Sequence, residues 1–238
     1  MRTTITRFLL RGMCLLGLLG NGHAADLTAT ETRWLRAAWP VLLYARDAGF
    51  PLDIVVQPQP TPGLPPMALA FIDARCKLVF SMRSNPEVQA TEQRLPPDLF
   101  DAALQLMAAH ELGHCQRHVS GAWRLLPAGR VEQPGPAGQL SSKSDARLLA
   151  EYADMQAVRR EEGHADLVGL AWTRLHHPAL YTRVHAWLQA ERSLGRIAGS
   201  HHDTLVWVRL AAQVDRLVED DIFVAADALW LTGLDAQP

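Results

Sequence analysis

The chain has 238 residues, of which 48% are hydrophobic and 20% charged, and its formal net charge is −2. That is enough apolar sequence to bury a sizeable core, and it excludes a disordered chain. No basic stripe marks a nucleic-acid partner, and no heptads or fixed period mark a coiled coil or a repeat array.

Residues 1–24 read as a secretory signal. Arg2, Arg7 and Arg11 are their only charges, an apolar stretch from Met13 to Leu19 follows, and Gly22-His23-Ala24 offers small residues for cleavage before Ala25. The stretch is shorter than the ~20 residues that span a bilayer, so no stable membrane anchor is expected after cleavage. The expected compartment is periplasmic or extracellular. Residues 25–238 then form one domain. Cleavage removes Cys14 and leaves Cys76 and Cys115, an even pair that predicts one disulfide in an exported protein. Two buried free thiols are the alternative.

Helical spacing of Trp34, Leu35, Ala38, Leu42 and Ala45 predicts a helix over 30–48, kinked or broken at Pro40. A short β-like run follows at 53–56. Five prolines within 57–66 make a loop. Two strands, 67–72 and 76–82, flank a turn at Asp73-Ala74-Arg75. The polar stretch 84–97 reads as a loop. Asp98 is expected to cap a long helix over 99–118, and 119–142 reads as a long Gly- and Pro-rich connection. Ser144 should cap the next helix, which runs to Glu162 and stops at Gly163. Helices over 165–175, 178–194, 203–219 and 222–231 complete the chain. The expected class is α+β and mostly helical, with a small N-terminal antiparallel sheet packed on the 99–118 helix.

That helix carries His110-Glu111-Leu112-Gly113-His114, the pattern H-E-x-x-H. Its two histidines are one turn apart on one face, so both imidazoles can reach one metal ion. Glu111 is angled to touch a metal-bound water without being a ligand, and can take its proton as general base. His118 shares the face one turn further on and reads as a solvent-facing or supporting histidine. Cys115 points about 100° away from the metal direction. A third protein ligand must come from elsewhere.

Glu151 in Glu151-Tyr152-Ala153-Asp154 is the expected third ligand. With this element the chain resembles the gluzincins, zinc peptidases in which a glutamate from a second helix completes the site. More narrowly it resembles the HtpX, BepA and CAAX-prenyl-protease type. That family pairs H-E-x-x-H with a downstream E-[FY]-x-A-D and a later H-P-x-x-x-x-R, for which His177-Pro178 to Arg183 is the match. The resemblance covers roughly residues 98–190 and implies a zincin-like fold and one Zn2+ per chain.

One departure stands out. Glu151 and Asp154 are three residues apart, where the family has four. If Ala153-Asp154 is the fixed point, the ligand position falls on Ala150, and Asp154 becomes the competing ligand. Otherwise Asp154 is the carboxylate expected behind a ligating histidine. The resemblance brings His177 and Arg183 near the metal, where they, Tyr181 or Tyr152 would stabilise a developing oxyanion. The alternative for His177-Pro178 is a plain helix start. An extended substrate is expected along a sheet edge, for which 76–82 is the candidate. The seven tryptophans are scattered, which suits packing, and His201-His202-Asp203 reads as a polar helix start.

The expected function is an exported zinc endopeptidase acting on a protein or peptide substrate. A catalytically silent, metal-stabilised binding or chaperone-like protein and a zinc hydrolase of a non-peptide cell-wall amide are the alternatives.

Overall fold

The structure, a computed structural model, describes residues 26–130 and 146–236. The signal segment and the Ser144 cap lie outside the described residues. Helix α1 spans Ala29–Asp47. Thr28 and Glu31 close a capping box at its start, each side chain bonding the other's backbone N–H. The helix runs unbroken through Pro40, contrary to a break there. Three strands follow: β1 (Leu52–Pro58), β2 (Met67–Ile72) and β3 (Arg75–Arg83).

The sheet order is β1-β3-β2, with β1 parallel and β2 antiparallel to β3. The sheet is therefore mixed, not antiparallel. Strand β3 is its centre, because β1 also reaches it. The β2–β3 turn needs left-handed backbone at two positions, and Asp73 and Ala74 supply it with φ 53° and 58°. Alternation along β3 turns Cys76, Leu78, Phe80 and Met82 inward against the helices.

The stretch 84–97 is not all loop. Asn85 caps a helix α2 (Pro86–Arg94), with proline at its first turn. Helix α3 spans Phe100–Val119 after a 3₁₀ turn at Pro97–Leu99. Asp98 does not cap it, but pairs with Arg183. Helix α4 is one continuous segment, Ala146–His176, so Gly163 does not end a helix. It is a glycine because the Trp207 ring lies against it; an added Cβ would sit 2.3 Å from that ring. Helices α5 (Tyr181–Ser193), a short α6 (Leu205–Leu210) and α7 (Ile222–Asp235) close the molecule.

The result is a mostly helical α+β fold with its sheet near the N-terminus. The core lies between α1, the inner sheet face, α3 and α4, and is filled by Trp34, Trp172, Leu104, Leu106, Leu167 and Leu170 among others. The Cys76–Cys115 disulfide joins β3 to α3, with the Cα atoms 5.7 Å apart. A disulfide belongs to an oxidising compartment. Among the described residues, no helix is long and apolar enough to cross a membrane.

Candidate metal centre

The site is made where α3 crosses α4. The two helices approach closely because the crossing residues are small. A Cβ on Gly113 would meet Ala165 and Val168 at 3.2 Å, and one on Gly169 would meet the Leu106 carbonyl at 2.8 Å. Gly113 is the fourth residue of H-E-x-x-H, so the crossing falls between the two histidines. Glu162 and Asp166 of α4 are thereby brought to His110 and His114.

The two Nε2 atoms lie 3.1 Å apart. Glu162 places one carboxylate oxygen 3.5 Å from His110 Nε2 and the other 3.4 Å from His114 Nε2. Ligands bound tetrahedrally at 2.0–2.1 Å would be separated by roughly 3.3–3.4 Å. The three side chains are thus preassembled for a metal ion, and among the described residues they form one buried His-His-Glu group able to hold it. The donor set, two imidazoles and a carboxylate, suits a transition-type divalent ion.

Behind this group stands an ordering network. Asp166, fully buried, accepts from His110 Nδ1 at 3.0 Å, which leaves His110 Nε2 as the lone-pair nitrogen. Asp166 also accepts from Arg192 at 2.6 and 2.9 Å and from the Thr204 hydroxyl at 2.6 Å. Burial opposes its charge, yet Arg192 and His110 hold its pKa down to about 2. Glu162 is likewise kept ionised: burial works against it, but His114, His202 and His110 bring its pKa well below the ordinary carboxylate range. His114 feels the reverse. Burial disfavours its cation, and Glu162, Glu111 and Glu161 outweigh that and raise its pKa. Among the described residues, His114 Nδ1 is buried with no hydrogen-bond partner.

Glu111 sits beside the ligand group. Burial raises its pKa, although His110 and His114 and a hydrogen bond from the Leu69 backbone N–H pull the other way. Leu69 belongs to β2. Ile72 and Arg75 flank the two-residue turn and form a hydrogen-bonded pair, so Leu69 and Phe71 point their N–H groups away from β3. Edge strand β2, and not the central β3, therefore borders the site.

Several expected residues stand elsewhere. Glu151 is exposed and bonds Arg147 one turn earlier on α4. It is eleven residues before Glu162, about 16 Å along the helix. Asp154 is exposed and paired with Arg124. His177 bonds the Gln105 side chain at 2.9 Å, toward the N-terminal end of α3, and Arg183 is an exposed partner of Asp98. Neither approaches His110 or His114. His118 stacks between Phe71 and Trp123. The sequence alone does not assign Glu162, Asp166 or Arg192 to the site, and it reads His202 as part of a polar helix start. The signal for the first two was present: Glu162-Gly163-His164-Ala165-Asp166 has the Ala-Asp ending together with the four-residue spacing that Glu151 to Asp154 lacks, though Gly163 stands where the family pattern has an aromatic residue. Taking Gly163 as a helix stop concealed it. Nothing local marks Arg192, whose role depends on the packing of α5 against α4.

No protein-family model matches the chain, and neither a curated protein nor a solved structure matches it.

Proposed function

We propose that the protein is an exported zinc-dependent endopeptidase of the gluzincin kind, with His110, His114 and Glu162 as the metal ligands. The observation that carries this reading is the convergence of the three donors with Glu111 beside them and the free edge of β2 alongside. With Glu162 in place of Glu151, the chain keeps the spacing of the HtpX and BepA type, and the helix-over-sheet arrangement is what a zincin-like fold requires.

Zinc held there would polarise the peptide carbonyl and make a water acidic enough to be deprotonated near neutral pH. The protein's own groups do the rest. Glu111, with its raised pKa, takes a proton from the attacking water and returns it to the leaving amine. A buried, partly desolvated carboxylate holds that proton more strongly than an exposed one would. Asp166 fixes the tautomer of His110, and Arg192 fixes Asp166. The outward N–H and C=O groups of β2 bind the substrate backbone without reading its sequence. His202 takes the role expected of His177. Its exposed imidazole comes within 3.6 Å of Glu162, where it can donate to the oxygen on which negative charge builds. The signal-like N-terminus and the disulfide favour a periplasmic or extracellular site of action.

The test is metal content and proteolysis on the purified chain. One zinc per chain, lost in Glu162→Ala and kept in Glu151→Ala, is expected. Glu111→Gln should keep the metal and lose roughly 10²–10⁴-fold in peptide cleavage. A Glu111→Gln protein that cleaves as fast as the parent would sink the mechanism. A purified chain that takes up no metal after reconstitution would sink the reading itself.

A further inference from the structure

Three rings stand in a row beside the metal centre. Phe71 stacks on His118 with centroids 4.6 Å apart and planes 8° from parallel. His118 stacks on Trp123 at 4.0 Å and 18°. Trp123 then meets the His114 ring edge-on at 5.5 Å. The row starts at a candidate ligand and ends on the sheet edge, where Phe71 is 36% exposed. Its members come from β2, the last turn of α3 and the loop that follows, so it is a feature of the tertiary fold and not of one segment.

The loop is tied down. The Arg124 N–H donates to Glu161 at 2.8 Å, and Arg117 donates to the Leu125 carbonyl at 3.0 Å while it pairs with Glu161. Arg124 is held at φ 62°, a conformation a non-glycine residue adopts only when its surroundings impose it. Trp123 is thus a fixed surface.

We propose that Phe71, His118 and Trp123 form one wall of a side-chain subsite that selects an aromatic residue close to the cleaved bond. This rests on the peptidase reading. Leu69 and Phe71 share the inner face and the outer edge of β2, and β2 packs on α3, the helix that carries Glu111. An extended peptide laid along that edge, with its reacting carbonyl near Glu111, advances about 6.6 Å over two residues. That is the step from Leu69 to Phe71, so a side chain about two residues from the cleaved bond arrives beside the rings. Their exposed surface is aromatic, and another ring packs on it in an offset or edge-on arrangement. A cationic side chain is disfavoured, because the Arg124 guanidinium already lies 6.0 Å from the Trp123 ring centre.

The experiment is calorimetric titration of the metal-loaded chain with acetohydroxamate and with peptide hydroxamates that differ only in carrying Phe, Leu, Lys or Gly at each of the first two positions from the chelating group. At one position the Phe compound should bind roughly three- to tenfold tighter than the Gly compound, the gain that an aromatic pair supplies. That ratio should fall toward one in Phe71→Ala and in Trp123→Ala, and return in Phe71→Tyr. Equal binding of Phe and Gly at both positions overturns the subsite, and so does a preference for Lys. Tighter binding of every compound after Trp123→Ala overturns it too, because Trp123 would then be an obstruction. Failure of acetohydroxamate itself to bind the metal-loaded chain has a different meaning. The metal would have no open position, and the peptidase reading would fall together with the subsite.

Discussion

Asp166 is the residue on which the candidate site turns. It is fully buried and receives His110, Arg192 and Thr204 at once. Replacing it by asparagine keeps the shape, removes the charge that Arg192 faces, and weakens the preference of His110 for the tautomer with a free Nε2. The expected outcome is a roughly 10–100-fold loss of metal affinity in competition with a chelator, the scale of such outer contacts. Asp154→Asn, on an exposed residue, should leave that affinity where it was. A chelator competition giving the two variants equal affinity would remove Asp166 from the site. The same contrast shows what was legible at this scale. His110, Glu111 and His114 announce themselves because their chemistry is written into one helical turn. The third donor needed a decision between two acidic segments of the same helix, and periodicity alone does not say which of them faces α3. Packing decides it: α4 lies on α3 at Gly113–Ala165, and from there Glu162 faces the Nε2 atoms of both histidines while Asp166 takes the Nδ1 of His110.

Among the elements, α4 departs furthest from its sequence signals. Glycine commonly ends a helix, and Gly163 is such a stop signal in the sequence. The observed helix passes through it because the absent side chain admits Trp207. Gly163→Ala would be mildly favourable in an exposed helix, where alanine outranks glycine by about 1 kcal/mol. Here it should cost stability, by about 1–3 kcal/mol as overpacking usually does, measured by urea unfolding. A stabilised variant would show that the Trp207 contact yields. Helix α1 makes a pH-dependent link to the sheet. Glu31 is 1% exposed, caps its own helix and receives Arg83 of β3 through two nitrogens at 2.9 and 3.0 Å. The Arg83 bond, opposed by burial and helped by Thr28, lowers its pKa. A carboxyl lowered in the folded state stabilises it fully above the unfolded value, near 4.3, and loses that contribution as pH falls through the folded value. Arg83→Ala should destabilise the fold at pH 7 by leaving the buried Glu31 charge short of its partner. The difference from the parent protein should shrink below about pH 4, as the carboxyl is protonated in both. A difference that stays constant from pH 7 to pH 3 would assign the loss to packing. The capping box itself was open to reading in Thr28-x-x-Glu31; the tie to Arg83, 52 residues away, was not.

For the molecule as a whole, two cross-links meet on one element, α3. The Cys76–Cys115 bond fastens α3 to β3 across 39 residues of chain. An export signal together with an even cysteine count points to this disulfide, with two free thiols as the alternative, whereas the mixed sheet was not foreseeable, since parallel pairing of β1 with β3 is settled only in three dimensions. The second cross-link is the candidate metal, which would fasten α3 to α4 through His110, His114 and Glu162. The donors come together only in the folded chain, so metal binding and folding are linked. An ion at 100 times its dissociation constant should stabilise the native state by about 2.7 kcal/mol. Breaking the disulfide should remove about 2–4 kcal/mol. The two effects act on different sides of α3, one toward the sheet and one toward α4. Zinc should therefore raise the melting temperature of the reduced protein by nearly as much as that of the oxidised protein. The melting temperature of Glu162→Ala should not respond to zinc in either state. Thermal scans of the parent and Glu162→Ala, each with and without zinc and reductant, decide this. If reduction abolishes the response to zinc, the disulfide is required to hold the histidines in place, and the two links are one.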